Sequence, residues 1–205
     1  MLYWFIRSLA VFLFKIYFRE QAFGRENIPL TGGFILAANH ASYLDPPVLA
    51  AACPRQLAFL AMQKLFEIPL FGRFIRGLNA VPLKTQGAGT QTLRWAVQTL
   101  RQGKVITIFP EGSRTADGQM LEPQSGVGFL AARAEAPIVP TYIHGTREAM
   151  PMHNKMIWPK KVKVYFGPQI KVENFDSGLS HHDLYTQIAQ KVMVEIKKLQ
   201  AKTKI

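Results

Sequence analysis

Short apolar runs, each too brief to be a helix, alternate along this chain with longer stretches of helical periodicity. Phe34–Ala38, Gln56–Met62, Ala80–Leu83, Val105–Phe109 and Ile138–Ile143 read as strands, and Val162–Phe166 reads as a strand whose lysines leave one face wet. Asp45-Pro46-Pro47 opens a helix, with Asp45 as its N-cap and Pro46 at the first helical position. Leu65–Arg76 reads as a helix interrupted near Pro69. Gly89–Arg101 reads as a helix capped by Thr90 and ended by Gly103. Val127–Arg133 is a shorter helix. Ser180–Lys202 is a long amphipathic one, capped by Ser180, with Leu184, Ile188, Val192, Ile196 and Leu199 inward. This alternation predicts an α/β fold: one domain over residues 21–205 with a largely parallel central sheet flanked by helices. The chain's 205 residues are enough for one such core. In sheets of this kind a site is expected in the loops at the carboxyl ends of the strands.

Residues 1–20 form a separate segment. MLYWFIRSLAVFLFKIYFR is almost wholly apolar, but Arg7 and Lys15 interrupt it, and its charge-free run Ser8–Phe14 is far short of the about 20 residues a span requires. Its apolar residues come first and Phe18-Arg19-Glu20-Gln21 is no cleavage site, which excludes a signal peptide. At about 100° per residue, Ser8, Lys15 and Arg19 share one narrow arc and Leu, Phe, Ile, Val and Tyr fill the remainder. That pattern predicts an amphipathic helix lying in a membrane surface, a peripheral or monotopic anchor. A helix packed against its own domain has the same periodicity.

Charge points the same way. The net charge is +12, and residues 54–104 hold eight Arg and Lys against one acid, Glu67. An excess of this kind implies an anionic partner: nucleic acid, anionic lipid or a phosphorylated small molecule. Cys53 is the only cysteine, so neither an internal disulfide nor a cysteine-based zinc site is possible. No zinc-ligand spacing, no Gly-x-Ser-x-Gly elbow and no nucleic-acid module signature occurs.

Two segments carry chemistry. Asn39-His40-Ala41-Ser42-Tyr43-Leu44-Asp45 directly follows a strand. A His and an Asp on one tight loop can meet side chain to side chain. The carboxylate then fixes the imidazole tautomer and leaves the other nitrogen free to take a proton. A solvated loop histidine, with Asp45 serving only as a cap, is the plainer alternative. Phe109-Pro110-Glu111-Gly112-Ser113-Arg114 also follows a strand. There Arg114 is a planar fork of donors suited to phosphate, Glu111 is an acceptor, and Gly112 permits close backbone approach. The alternative is a turn with an internal Glu111–Arg114 ion pair.

Taken together, these segments resemble the glycerolipid acyltransferase family, most closely its bacterial branch that acylates 1-acylglycerol 3-phosphate (lysophosphatidate). The resemblance runs from about Phe23 to Phe166. It comprises the His-x4-Asp box after Gly24-Arg25-Glu26-Asn27-Ile28-Pro29, the region Gly72–Thr85, Phe109–Arg114, and Ile138-Val139-Pro140-Thr141-Tyr142. It implies an acyl transfer in phospholipid biosynthesis from acyl-CoA or acyl carrier protein to the sn-2 hydroxyl, giving phosphatidate. His40 would be the base and Asp45 its orienting partner, with no covalent intermediate, no metal and no cofactor. Glu111, Gly112, Ser113 and Arg114 would bind the acceptor, with Lys84 and Thr85. Asn39, Pro110, Val139 and Pro140 are motif-associated, and backbone amides near Val139–Thr141 are one candidate for the oxyanion donors. Lys84-Thr85 departs from the family, whose members carry an acid and then Arg there, an Arg associated with the acceptor phosphate. The expected place of action is the cytoplasmic side of a membrane, with an anionic lipid surface as partner and no nucleic acid. The rival readings are a different lysophospholipid, glycerol 3-phosphate or a glycolipid as acceptor, and a non-catalytic basic membrane or nucleic-acid binder.

Overall fold

The computed structural model describes residues 8, 11, 12, 14–77, 80–83, 89–115, 117–152, 154, 156–175 and 178–203. A seven-stranded sheet forms its centre, in the order β1-β7-β6-β2-β5-β3-β4. The strands are β1 (Gln21–Phe23), β2 (Phe34–Ala38), β3 (Leu57–Met62), β4 (Ala80–Leu83), β5 (Val105–Ile108), β6 (Ile138–His144) and β7 (Lys163–Phe166). β6, β2, β5, β3 and β4 run parallel to one another. β7 pairs antiparallel with β6, and β1 is parallel to β7, so these two run against the other five.

Besides the N-terminal helix, described at residues 8, 11, 12 and 14–17, the helices are α1 (Asp45–Ala52), α2 (Phe71–Gly77), α3 (Gly89–Arg101), α4 (Gly126–Ala134), α5 (Thr146–Ala149) and α6 (His181–Lys202). β2 is buried at all five positions, as a strand covered on both faces must be. Its alternating side chains divide between two layers. Phe34, Leu36 and Ala38 pack with Val48, Leu49 and Ala52 of α1 and with Val164 and Phe166 of β7. Ile35 and Ala37 pack with Ala96 and Leu100 of α3, Leu130 of α4, and Ile188, Val192 and Ile196 of α6. Where α4 crosses α6, a Cβ on Gly128 would stand 2.1 Å from the Tyr185 carbonyl oxygen, so only glycine allows that approach.

The strands and helices lie where the sequence places them, with five differences, the first being the one-turn helix α5, which was not expected. β1 was not expected: its three residues show little burial, and pairing with β7 holds it rather than any pattern of its own. The helix expected over Leu65–Arg76 is a 3-10 turn at Gln63–Phe66 followed by α2, and between them Leu70 has a φ of 63°. α3 begins at Gly89, which puts Thr90 inside the helix rather than at its cap. Asp45 does not cap α1; it is the first helical residue, after Leu44, and its carboxylate turns back to the preceding loop. Ser180 does cap α6, accepting from the Asp183 amide.

Of the N-terminal segment, residues 1–7, 9, 10 and 13 lie outside the described residues, so the amphipathic arc drawn for 1–20 is visible only at its end. There Phe14 and Phe18 pack on the core, while Phe12, Ile16 and Tyr17 are exposed. Among the described residues, no helix is long and apolar enough to cross a membrane.

Candidate active site

Sheet order explains why two segments 71 positions apart form one site. β2 and β5 are parallel neighbours with Ala37 opposite Ile108, so the residues leaving each strand emerge side by side. Asn39 and His40 leave β2, and Phe109 to Glu111 leave β5.

Three donors converge on one oxygen of Asp45. His40 Nδ1 lies 2.8 Å from Oδ2, the Ala41 amide donates to it at 2.7 Å, and the Ser42 amide at 2.8 Å. Asp45 is fully buried while the His40 side chain is 18% exposed, so the carboxylate is shielded and the imidazole reaches solvent. With Nδ1 committed to a carboxylate, Nε2 is the nitrogen left to accept a proton. The Phe109 ring stacks on the imidazole, with centroids 3.9 Å apart and planes 17° from parallel, and limits its rotation.

The backbone of His40 is fixed as firmly as its ring. Its amide donates to Glu111 Oε1 at 2.9 Å, and its carbonyl accepts from the Thr115 amide at 3.2 Å. Asn39 extends the β2–β6 pairing with its side chain: Oδ1 accepts from the Ile143 amide at 2.7 Å and Nδ2 donates to the Ile143 carbonyl at 3.1 Å.

Glu111 is placed as a brace between loops. It is buried, and its second oxygen accepts from the Leu121 amide at 2.8 Å. Neither oxygen pairs with Arg114, so the ion-paired turn is not what forms. Burial pushes the Glu111 carboxyl above the ordinary glutamate range, opposed by the amides of Leu121 and His40. Arg114 lies instead over the ring of Tyr43, its guanidinium carbon 3.5 Å from the centroid, a cation–π contact. Its buried Nη1 has no hydrogen-bond partner among the described residues. Gly112, at a φ of 70°, makes the turn that carries the loop past the site, and Gly112 and Ser113 are exposed. Pro110 is buried, and its carbonyl accepts from the Gln124 amide.

One expectation changes and one falls outside the described residues. Val139, Pro140 and Thr141 are buried inside β6 between β2 and β7; proline carries no N–H, and the strand's backbone belongs to the sheet. The expected oxyanion amides are therefore not presented there. Lys84 and Thr85 lie outside the described residues. Phe109 and Tyr43 stand inside the two quoted segments but were given no part there, and Thr115 directly follows the second. Beside Asn39 and Ala41 a cavity of about 300 Å³ opens between the end of β6 and the end of α6, lined also by Tyr142, His144, Arg147 and Gln200.

The chain is similar to known proteins. Residues 21–144 match the family model described as Acyltransferase. A protein named 1-acyl-sn-glycerol-3-phosphate acyltransferase from Bacillus subtilis (strain 168) is 27% identical over 157 residues, covering 76% of this chain and 75% of that one. A protein of the same name from Streptococcus pneumoniae is 26% identical over 213 residues, covering 100% of this chain and 75% of the other. The crystal structure of the 1-acyl-sn-glycerophosphate (LPA) acyltransferase PlsC from Thermotoga maritima superposes with a TM-score of 0.80 at 28% identity, covering 97% of this chain and 80% of that chain.

Proposed function

The chain belongs to the acyltransferase family, and from that premise we propose that it transfers a fatty acyl group from acyl-CoA or acyl carrier protein to the sn-2 hydroxyl of 1-acylglycerol 3-phosphate, forming phosphatidate. The observation that carries this reading is the His40–Asp45 contact at 2.8 Å, held at the sheet's carboxyl edge beside a loop bearing Arg114.

His40 Nε2 takes the proton of the acceptor hydroxyl as its oxygen attacks the thioester carbonyl carbon. Asp45 stabilises the imidazolium that results. The tetrahedral intermediate collapses, the carbon–sulfur bond breaks, and the leaving thiolate takes the proton back from the imidazolium. The new ester bond is complete without an acyl-enzyme, and the step requires neither a metal nor a cofactor. Arg114 pairs with the acceptor phosphate, and its buried, unpartnered Nη1 is a donor for an anionic oxygen. Glu111 serves this site by fixing the loops, and Gly112 and Ser113 form its open edge. Lys84 and Thr85 are the further candidates for acceptor contact. The place of action is a cytoplasmic membrane face, reached through the N-terminal segment.

The test is transfer from radiolabelled acyl-CoA by the purified full chain, across lysophosphatidate, other lysophospholipids, glycerol 3-phosphate and a monoacylglycerol. Lysophosphatidate is expected to give the highest kcat/KM. A preference for another acceptor moves the assignment within the family, and no thioester consumption with any acceptor overturns it.

A further inference from the structure

Met156, Ile157 and Trp158 stand in a row between α5 and β7, and they are 59%, 45% and 45% exposed. A contiguous group of large apolar side chains on a surface marks an interaction site more often than an accident of folding. The backbone beneath them is firmly held. The Trp158 amide donates to the Ala149 carbonyl at 2.7 Å and the Val162 amide to the Phe18 carbonyl at 3.0 Å. The Tyr17 hydroxyl donates to the Ile157 carbonyl at 2.8 Å. The Lys161 carbonyl oxygen lies 2.1 Å from where a Cβ on Gly145 would stand, so the segment seats there only because residue 145 is glycine. With the backbone fixed, the outward apolar side chains are a property of the fold.

The bonds from Tyr17 and Phe18 join this segment to the end of the N-terminal helix. There Phe12 and Ile16, one turn apart, are 61% and 64% exposed. Lys15, Arg19, Lys160 and Lys161 are exposed on the same two segments. No Asp or Glu occurs from Met156 to Val172, and the acid on the helix side, Glu20, is buried. Protruding apolar groups that include a tryptophan, with cations on both segments and no exposed acid on either, match an anionic lipid surface. The apolar groups enter the acyl boundary, Trp suits the headgroup level, and each nearby Lys or Arg adds attraction.

We propose that Met156–Trp158, with Lys160 and Lys161, is a second membrane-docking element that inserts into an anionic leaflet beside the N-terminal helix. Its position gives it a consequence for catalysis, which rests on the acyltransferase reading above. The Ser42 hydroxyl, inside the His40–Asp45 loop, donates to the carbonyl of Met150 at 2.9 Å, at the start of the same connection. Docking therefore sets that loop against the surface in which an amphiphilic acceptor resides.

The test uses the full chain with Trp4→Phe and Trp95→Phe, which leaves Trp158 as the sole tryptophan, and vesicles of phosphatidylcholine and phosphatidylglycerol at 3:1. Trp158 emission is expected to shift to the blue on binding and to be quenched by lipids brominated on the acyl chain. Ile157→Ser with Trp158→Ser should weaken vesicle binding roughly tenfold or more, the order expected for two large apolar side chains. Lys160→Glu with Lys161→Glu should weaken binding to these vesicles by a similar factor, but not to pure phosphatidylcholine, and added salt should erode that difference. Unchanged emission on vesicles that do bind the protein overturns the proposal, as does an absence of vesicle binding. A blue shift that needs no lipid and follows protein concentration also overturns it, and assigns the patch to a second copy of the chain. None of these readouts depends on acyl transfer, so a failed acceptor assignment leaves them intact.

Discussion

Asp45 Oδ2 accepts from His40 Nδ1 at 2.8 Å and from the Ala41 and Ser42 amides at 2.7 and 2.8 Å, so a single oxygen both orients the imidazole and closes the loop that carries it. The two duties separate by substitution. His40→Ala should cut kcat by at least about 10²–10⁴-fold, the range of general-base catalysis, with the fold intact. Asp45→Asn should lower kcat with little change in melting temperature. Asp45→Ala should lower both, because two buried amides lose their acceptor at about 1–3 kcal/mol each. Steady-state rates beside thermal melts of the three variants check this, and near-full activity in His40→Ala would sink the mechanism.

Arg114 has its guanidinium over the face of Tyr43 and no carboxylate partner among the described residues. Arg114→Ala should raise the KM for lysophosphatidate by roughly tenfold or more, matching the about 1.5–3 kcal/mol of a charged hydrogen bond. The KM for acyl-CoA should move less. Arg114→Lys should restore only part of the loss, since an ammonium keeps the charge but neither the fork nor the flat stacking surface. Equal turnover of lysophosphatidate and an uncharged monoacylglycerol would remove the phosphate site.

Glu111 makes a pH prediction. Burial raises its carboxyl pKa in the folded state, against opposition from the Leu121 and His40 amides. A raised folded value means the native state holds that proton more tightly than the unfolded chain. Its stabilising contribution is full below the unfolded value and is lost as pH rises through the folded one. Glu111→Gln cannot titrate. The melting temperature of the wild type relative to that variant should therefore fall as pH rises from the ordinary glutamate range upward. A rise instead would show that the amides outweigh burial. Gln has a single acceptor oxygen for two amides, so its transfer rate should also drop at every pH.

Gly128→Ala should destabilise the protein without touching the site. Its Cβ would meet the Tyr185 carbonyl oxygen at 2.1 Å, backbone against backbone, so α4 and α6 must separate. Overpacking of this kind costs about 1–3 kcal/mol, and a chain of this length loses about 2–4 °C of melting temperature per kcal/mol. Activity per folded molecule, measured well below the transition, should stay near wild type.

The elements that were legible in the sequence carry their own signal. β2 is an uninterrupted apolar run, β5 is an apolar run broken only by Thr107, α6 keeps its helical period for 22 residues, and Ser180 is a capping residue in capping position. β1 was not legible because its existence depends on β7, more than a hundred residues later. The His40–Asp45 contact was legible as a short-range possibility, since only four residues intervene. The function of Glu111 was not. Its residue type offers an acceptor to a ligand and to a backbone amide alike, and only the adjacency of β2 and β5 decides between them. The same holds for Phe109 against the imidazole and Tyr43 beneath Arg114, which are contacts between loops that no local pattern announces.

β5 lies between β2 and β3 in the sheet, yet it is made after both. A growing chain that has been synthesised only through β3 already contains His40 and Asp45, but nothing of Glu111, Thr115 or Phe109. Contacts between distant parts of a chain form late because the loop between them must first close. The strand that fills the gap in the sheet is thus also the one that leads into the groups clamping the histidine, so the braced geometry of the site arrives with completion of the core. A chain synthesised only that far holds the His40–Asp45 pair without the groups that brace it.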